Sequence, residues 1–170
     1  AFLWVSPQGR VEASGDGRLL GAGIGNLPFF HQVAPGETSV SDLYRAPESG
    51  AWQFAVLRGI AGSDGSLSSV VVARIIPERL AEAYAALRRP EGGGISLTDR
   101  QGRCALRLAP PVPSRVGDLW ARDLVTIGRA LAGHENVGIE TGLAMRGQRW
   151  IAAATPIRSI GWVAGASRPE

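Results

Sequence analysis

The chain contains no lysine; all 18 of its Lys and Arg residues are arginine. Schiff-base lysines, lysine general bases and a complete GK[ST] phosphate loop are therefore excluded. Cys104 is the single cysteine, so no disulfide forms within the chain and a four-cysteine zinc site is impossible. The two histidines, His31 and His134, lie far apart in sequence, which gives no metal-ligand spacing and makes both read as surface or hydrogen-bonded residues. Long apolar runs are also missing, and none reaches the roughly 18 residues that a membrane helix requires. The first residues, Ala1-Phe2-Leu3-Trp4-Val5, read as the middle of a strand and not as a signal peptide, so a fragment of a longer protein is expected.

What is present describes a folded protein. The 170 residues carry 45% hydrophobic and 19% charged side chains with a mean hydropathy of +0.04, enough for one ordinary domain or two small ones. With 23 Gly and 11 Pro, the chain turns often, which favours short strands over long helices. A net charge of +3 is mild, Arg88-Arg89 is the nearest thing to a basic run, and no basic stripe interleaves with aromatics. No nucleic-acid partner is expected.

Strand grammar dominates the pattern. Phe2–Val5, a turn at Ser6-Pro7-Gln8-Gly9 and Arg10–Ala13 predict a hairpin. The Gly- and Pro-rich stretch from Leu20 to Gly50 is too long for a simple connector and holds Phe29-Phe30-His31. Ala51–Ile60 alternates, with Trp52, Phe54, Val56 and Arg58 on one face and Gln53, Ala55 and Leu57 on the other. Gly62-Ser63-Asp64-Gly65 turns it into Leu67–Ile76, whose Val70-Val71-Val72 marks a buried strand. These two strands should be central in a sheet. Pro77 opens a helix expected to reach Arg89, and Gly92-Gly93-Gly94 ends it.

Hairpin grammar then recurs as Ile95–Thr98, Asp99-Arg100-Gln101-Gly102 and Arg103–Leu108, a weak internal repeat that predicts two similar modules. A second helix is expected over Asp118–Leu131, followed by strands Glu140–Leu143, Arg149–Ile157 and Gly161–Ser167. The order is α+β.

Taken in series, these segments resemble the double Cache family of extracytoplasmic sensors. The run GAWQFAVLRGIAGSDGSLSSVVVARI looks like the central hairpin of its distal module, GGISLTDRQGRCALRLAP like the opening hairpin of its membrane-proximal module, and GQRWIAAATPIRSIGWVAGASRPE like its closing strands. The resemblance implies two tandem PAS-like modules, 1–90 and 91–170, each a mainly antiparallel sheet with flanking helices, and an extracytoplasmic location in a membrane-anchored receptor such as a sensor histidine kinase. The family opens with a long helix that this chain lacks, which leaves a homodimer open. In members that bind amines or amino acids, the strand after the DG turn carries an Asp; Arg74 stands there instead, which points to an anionic ligand such as a carboxylate.

The expected pocket lies in the distal module, between the face bearing Trp52, Phe54 and Arg58 and the long segment carrying Phe30, His31 and Tyr44, with Arg74 inside or outside it according to strand register. The competing reading makes Trp52 and Phe54 core residues and Arg58 an exposed strand end. Gly21-Ala22-Gly23-Ile24-Gly25 has GxGxG spacing but no parallel strand-helix unit around it, so it is not read as a dinucleotide loop. There is no GxSxG elbow, and Cys104 reads as a small buried residue. No catalytic constellation, cofactor or metal is expected. The sequence thus reads as a non-enzymatic ligand sensor, and the rival is a structural or protein-interaction ectodomain without a small-molecule ligand.

Overall fold

The computed structural model describes residues 1–84, 93–108, 115–119, 124–141 and 148–170. The chain divides into two compact units, one formed by Ala1–Tyr44 with Gln53–Ile76 and the other by Arg45–Trp52 with Pro77–Glu170. The expected boundary at residue 90 falls outside the described residues.

The first sheet contains β1 (Phe2–Val5), β2 (Val11–Ser14), β3 (Thr38–Val40), β4 (Tyr44–Arg45), β5 (Trp52–Ala61) and β6 (Leu67–Ile75), in the order β2-β1-β6-β5-β3, with β4 also on β5. As the valine run predicts, β6 is central, paired antiparallel with β1 and β5. The β5–β6 turn closes because Gly65 takes a φ of +78° that other residues resist, while the Asp64 carboxylate accepts the Ser66 N–H at 3.0 Å and its hydroxyl at 2.7 Å. Those two bonds favour the ionised form and hold the Asp64 carboxyl below its usual range, the hydroxyl first.

One face of this sheet carries Leu3, Val5, Val11, Ala55, Leu57, Val70 and Val72 into a core closed by Phe29 and Phe30. Those two aromatics come from the long segment, which also forms short 3₁₀ turns at Gly17–Leu19 and Phe30–Gln32. The segment is pinned where Pro35 bridges Gly59 and where Ser41 N–H donates to Ala55 C=O at 2.8 Å while Ser41 Oγ accepts Ala55 N–H at 2.8 Å.

The second sheet contains β7 (Gly94–Thr98), β8 (Cys104–Leu108), β9 (Asn136–Glu140), β10 (Trp150–Ile157) and β11 (Trp162–Pro169), in the order β8-β7-β11-β10-β9. Apart from β4, this is the first sheet's order over again: opening hairpin, last strand, penultimate strand, third strand. The repeat extends to single bonds. Gly9 N–H donates to Ser6 C=O at 2.9 Å and Gly102 N–H to Asp99 C=O at 3.0 Å, while Ser6 and Asp99 N–H each donate 2.9 Å bonds to Arg10 and Arg103 C=O. Both turns end on a left-handed glycine, φ +84° and +80°. The buried Asp99 carboxylate adds a 2.8 Å bond from Arg103 N–H.

Two helices belong to the second unit. The first, α1 (Pro77–Ala83), packs on β8; the expected extension to Arg89 lies outside the described residues beyond Tyr84. The second, α2 (Val125–Leu131), presses Ile127 and Ala130 onto Trp150, Ala154 and Val163. The expected start at Asp118 is corrected: Asp118 C=O accepts Cys104 N–H at 2.8 Å and Leu119 bridges Arg103, so both residues line the edge of β8. The strand at this point is Asn136–Glu140, and the expected strand over Glu140–Leu143 lies outside the described residues beyond Thr141. The buried carboxylate of β9's last residue, Glu140, accepts Thr126 N–H at 2.7 Å at the start of α2. Among the described residues no helix is long and apolar enough to cross a membrane, which says nothing of β-barrels.

The Pro35–Gly59 contact makes a prediction. A Cβ on Gly59 would stand 2.2 Å from the Ala34 carbonyl oxygen, whereas one on Gly17 meets nothing within 4 Å. Gly59→Ala should lose about 1–3 kcal/mol in urea denaturation and Gly17→Ala should stay within about 0.5 kcal/mol of the parent. Equal effects would show that the segment is not held at that distance.

Candidate functional site

Strand alternation decides which side chains the first unit turns towards its covering segment. In the β5–β6 register Ala55 lies opposite Arg74 and Leu57 opposite Val72. Leu57 and Val72 belong to the covered core, so Ala55, Gln53 and Arg74 share that face. The face that Trp52, Phe54, Val56 and Arg58 share is the other one. The sequence expectation of a pocket on the Trp52/Phe54/Arg58 face is therefore corrected: the long segment covers the face of smaller residues, and its own aromatics supply the bulk.

Tyr44, Gln53 and Arg74 converge at the end of the covered face. Arg74 donates from Nε to Gln53 Oε1 at 2.8 Å, and the Tyr44 hydroxyl approaches the same oxygen at 3.5 Å. Gln53 is buried at 7% exposure, so its amide oxygen is an acceptor that the fold must supply with donors. Tyr44 packs on the core and tilts against Phe29, ring centroids 4.8 Å apart at 50°. Ser41 sets this geometry from the covering segment: its Oγ accepts Ala55 N–H at 2.8 Å and donates to Asp42 C=O at 2.8 Å, which carries the chain from β3 into Tyr44.

Hydrogen bonds from the Arg18 side chain and backbone hold the Asp16 carboxyl below its usual range, and Arg74 acts weakly in the same sense. The Arg18–Asp16 pair closes at 2.9 Å on the surface.

The other expected residues separate. Phe30 lies in the core of the first unit and His31 beside it is exposed. Arg58 is exposed and donates to Thr38 Oγ1 at 3.0 Å across the edge pair β3–β5. Phe54 is buried at 6% exposure on the face opposite Arg74. Trp52 belongs to the second unit, where Arg45 stacks 4.1 Å from its ring centroid, Arg103 lies 5.5 Å away, and Gly117 approaches so closely that a Cβ there would stand 2.3 Å from the indole. That is a packed cation–π arrangement. Cys104 is a buried free thiol in the second core. Among the described residues no three His, Cys, Asp or Glu side chains gather as a metal site would require.

Gln53 and Phe29 are the members that sequence reasoning missed. A glutamine alternating with Trp and Phe reads as the solvent side of a strand, and nothing local reveals which face of β5 the long segment covers. The signal available was the β5–β6 pairing, because the short Gly62–Gly65 turn fixes its register and places residue 53 on the side of residue 74.

If Gln53 and Arg74 form the bond that organises this cluster, Gln53→Leu should cost about 1–2 kcal/mol, as expected for a partly solvated hydrogen bond to a charged group. Gln53→Glu should be milder, because it keeps the acceptor. Chemical denaturation checks both, and a neutral Gln53→Leu would mean the bond is incidental.

Comparison with known proteins adds the fold. No family model matches the chain, and no curated protein is significantly similar in sequence. Among solved structures, the extracellular domain of an inferred histidine kinase, rpHK1S-Z16, matches 99% of this chain and 70% of its own with a TM-score of 0.78 and 21% identity. An extracellular ligand-binding receptor from Desulfohalobium retbaense matches with a TM-score of 0.70 and 12% identity, this chain covering 29% of it. The ligand-binding domain of the amino-acid chemoreceptor PctB from Pseudomonas aeruginosa, in complex with L-Arg, matches with a TM-score of 0.69 and 15% identity over 99% of this chain and 70% of that one. The chain thus has the Cache-type fold of the extracellular sensor domains of histidine kinases and chemoreceptors.

Proposed function

We propose that this chain is the ligand-sensing part of a membrane-anchored signalling receptor, a histidine kinase first among the candidates, acting outside the cytoplasm and without catalysis of its own. On this reading the two sheets of equal strand order are two tandem PAS-like modules, the first binding a small molecule and the second passing on the change. The observation that carries it is the convergence of a guanidinium, a buried amide and a phenol beside Phe29 on the covered face of the first sheet. A few polar groups aimed at one place beside an aromatic wall is how small-molecule sites are built.

The fold-mates support the ligand class. PctB binds L-Arg and L-Gln, and a Pseudomonas fluorescens chemoreceptor, CtaA, binds L-serine. Each of these ligands carries a carboxylate, and an arginine fork is the side chain best shaped to take one. Arg74 and Tyr44 are the proposed contacts and Gln53 the residue that orients Arg74, with Phe30 closing the core behind them. His31 and Phe54 have no placement that adds to the site, while Trp52 and Arg58 stand on the opposite face. Signalling then rests on the ligand's different affinity for two states of the module.

The outer faces of the sheets bear on the family's opening helix. In the first sheet Phe2 is 72% and Trp4 43% exposed; in the second, Val137 is 72% and Ile139 51% exposed, beside an open groove of about 930 Å³ lined by Ile151, Ala153, Ala164 and Ala166. Apolar faces of this kind are what a covering helix or a second protomer would bury. They are equally what the rival reading, a protein-interaction ectodomain, would use.

A thermal-shift screen of small carboxylates and amino acids separates the two, because a ligand bound only by the folded state raises the midpoint by mass action. A carboxylate should stabilise the parent, Arg74→Asp should abolish that shift, and Arg58→Ala should keep it. No shift from any such ligand would favour the interaction reading, and an unchanged shift in Arg74→Asp would place the ligand elsewhere.

A further inference from the structure

A sheet edge presents a row of backbone N–H and C=O groups that another strand can pair with, and the edges of the two sheets are not protected alike. On β2, Val11 N–H donates to Ala22 C=O and Gly21 N–H donates to Val11 C=O, both at 2.9 Å, while Arg10 bridges Gly23. On β8, Cys104 N–H donates to Asp118 C=O and Gly117 N–H to Cys104 C=O, both at 2.8 Å, while Leu119 bridges Arg103. The edge strand β3 is only 3 residues long. β9 has none of these protections. It ends the order β8-β7-β11-β10-β9, and among the described residues no backbone bond reaches it except from β10. Alternate residues of a strand turn their N–H and C=O away from a given neighbour, so the outer row of β9 is left to water. Its sequence, Asn136-Val137-Gly138-Ile139-Glu140, holds no proline or arginine, and the chain has no lysine with which to blunt an edge.

The strand is also nearly symmetrical about its middle. A Cβ on Gly138 would meet Thr126 Cγ2 at 3.3 Å, so Asn136, Gly138 and Glu140 face α2, while Val137 and Ile139 face away and are exposed. When two copies of β9 are laid antiparallel with Gly138 opposite Gly138, Val137 of each copy falls opposite Ile139 of the other. Side chains placed in that way stand about 5 Å apart and pack. No like charges meet. Glu140, committed to Thr126 N–H, falls opposite Asn136, and Glu135 falls opposite Thr141. Sliding one copy along to the next register of the same face loses the match, because it sets Glu135 beside Ile139 or Glu140 beside Gly138. The helices leave room for the pairing. α2 lies over β9, β10 and β11, and the symmetry axis puts both copies of α2 on one side of the joined sheet. The two β10 strands would then be three strand spacings apart, about 14 Å, more than the roughly 8–10 Å at which helices pack.

We propose that β9 is a homodimer interface, pairing antiparallel with β9 of a second copy about Gly138 and joining the two five-stranded sheets into one. A second copy fits better than an unlike peptide because the strand supplies both halves of each contact, Val137 for Ile139 and Ile139 for Val137. The pairing goes beyond the ligand site of the first unit and does not depend on it. A few backbone bonds and two apolar pairs make a small interface, with a dissociation constant on the order of 100 µM for the free chain. Chains held in one membrane, as in the receptor proposed above, meet at a much higher effective concentration, and there a weak edge contact is enough to pair them.

Analytical ultracentrifugation of the full 170-residue chain, from roughly 10 µM to 1 mM, should show a monomer–dimer equilibrium. Ile139→Lys and Val137→Glu each set a charge against an apolar side chain and should weaken association roughly tenfold. The double variant Val137→Glu/Ile139→Lys sets Glu against Lys on both sides of the axis and should recover most of the lost affinity; neighbouring registers set Glu against Glu or Lys against Lys and give no such recovery. Both positions are exposed, so every variant should keep the parent's melting midpoint. Cysteines read the register directly. An equimolar mixture of Val137→Cys and Ile139→Cys chains should form a disulfide-linked dimer faster than either variant alone, with the native Cys104 buried and out of reach. A chain still monomeric at about 1 mM would contradict the proposal and leave the edge to an unlike partner. Dimers indifferent to Ile139→Lys, or cysteine variants that each link to themselves as fast as the mixture does, would overturn it in favour of another surface or register.

Discussion

Everything proposed for the first unit depends on one register: Ala55 opposite Arg74 in the β5–β6 pair. Because side chains alternate with a period of two, that single alignment sends Leu57, Val70 and Val72 into the core and carries Gln53 and Arg74 with them. A slip of one residue would turn Arg58, Phe54 and Trp52 inward and expose the polar cluster. The register is secured at one end by the Gly62–Gly65 turn and at the other by the segment over the sheet, whose Ser41 bonds Ala55 through backbone and side chain.

The covering segment has two jobs that conflict in composition. Closing the core needs Phe29 and Phe30, while approaching the sheet closely needs a residue with no side chain at Gly59, where the Ala34 carbonyl leaves no room for a Cβ. The result is a segment rich in Gly and Pro with a few large aromatics. Tyr44 stands where it meets the sheet, apolar ring against Phe29 and hydroxyl near Gln53. Packing and polar recognition are thus supplied by the same strand-entry residues, which is economical but leaves the site sensitive to changes in the core.

Much of this was legible in the sequence. The hairpins, the centrality of the valine strand and the repeated turn followed from strand alternation and left-handed glycines, both local signals. The start of α2 was harder: Asp118 and Leu119 have helical spacing, yet Cys104 and Arg103 recruit them to a strand edge, a contact distant in sequence. The face of β5 was misread for a related reason. Trp52 and Phe54 are the larger apolar residues, and size suggests the inside, but the long segment covers the face of smaller residues and brings Phe29 and Phe30 as its own bulk. Trp52 meets two arginines and a glycine brought from elsewhere in the chain.

The most direct measurement is electron density in a crystal grown with a carboxylate that stabilises the protein. The account predicts that the ligand's carboxylate lies within hydrogen-bond reach of the Arg74 guanidinium and the Tyr44 hydroxyl, on the Gln53 side of β5. Density on the Trp52 and Arg58 side of that strand, or a ligand that leaves Arg74 untouched, would contradict it.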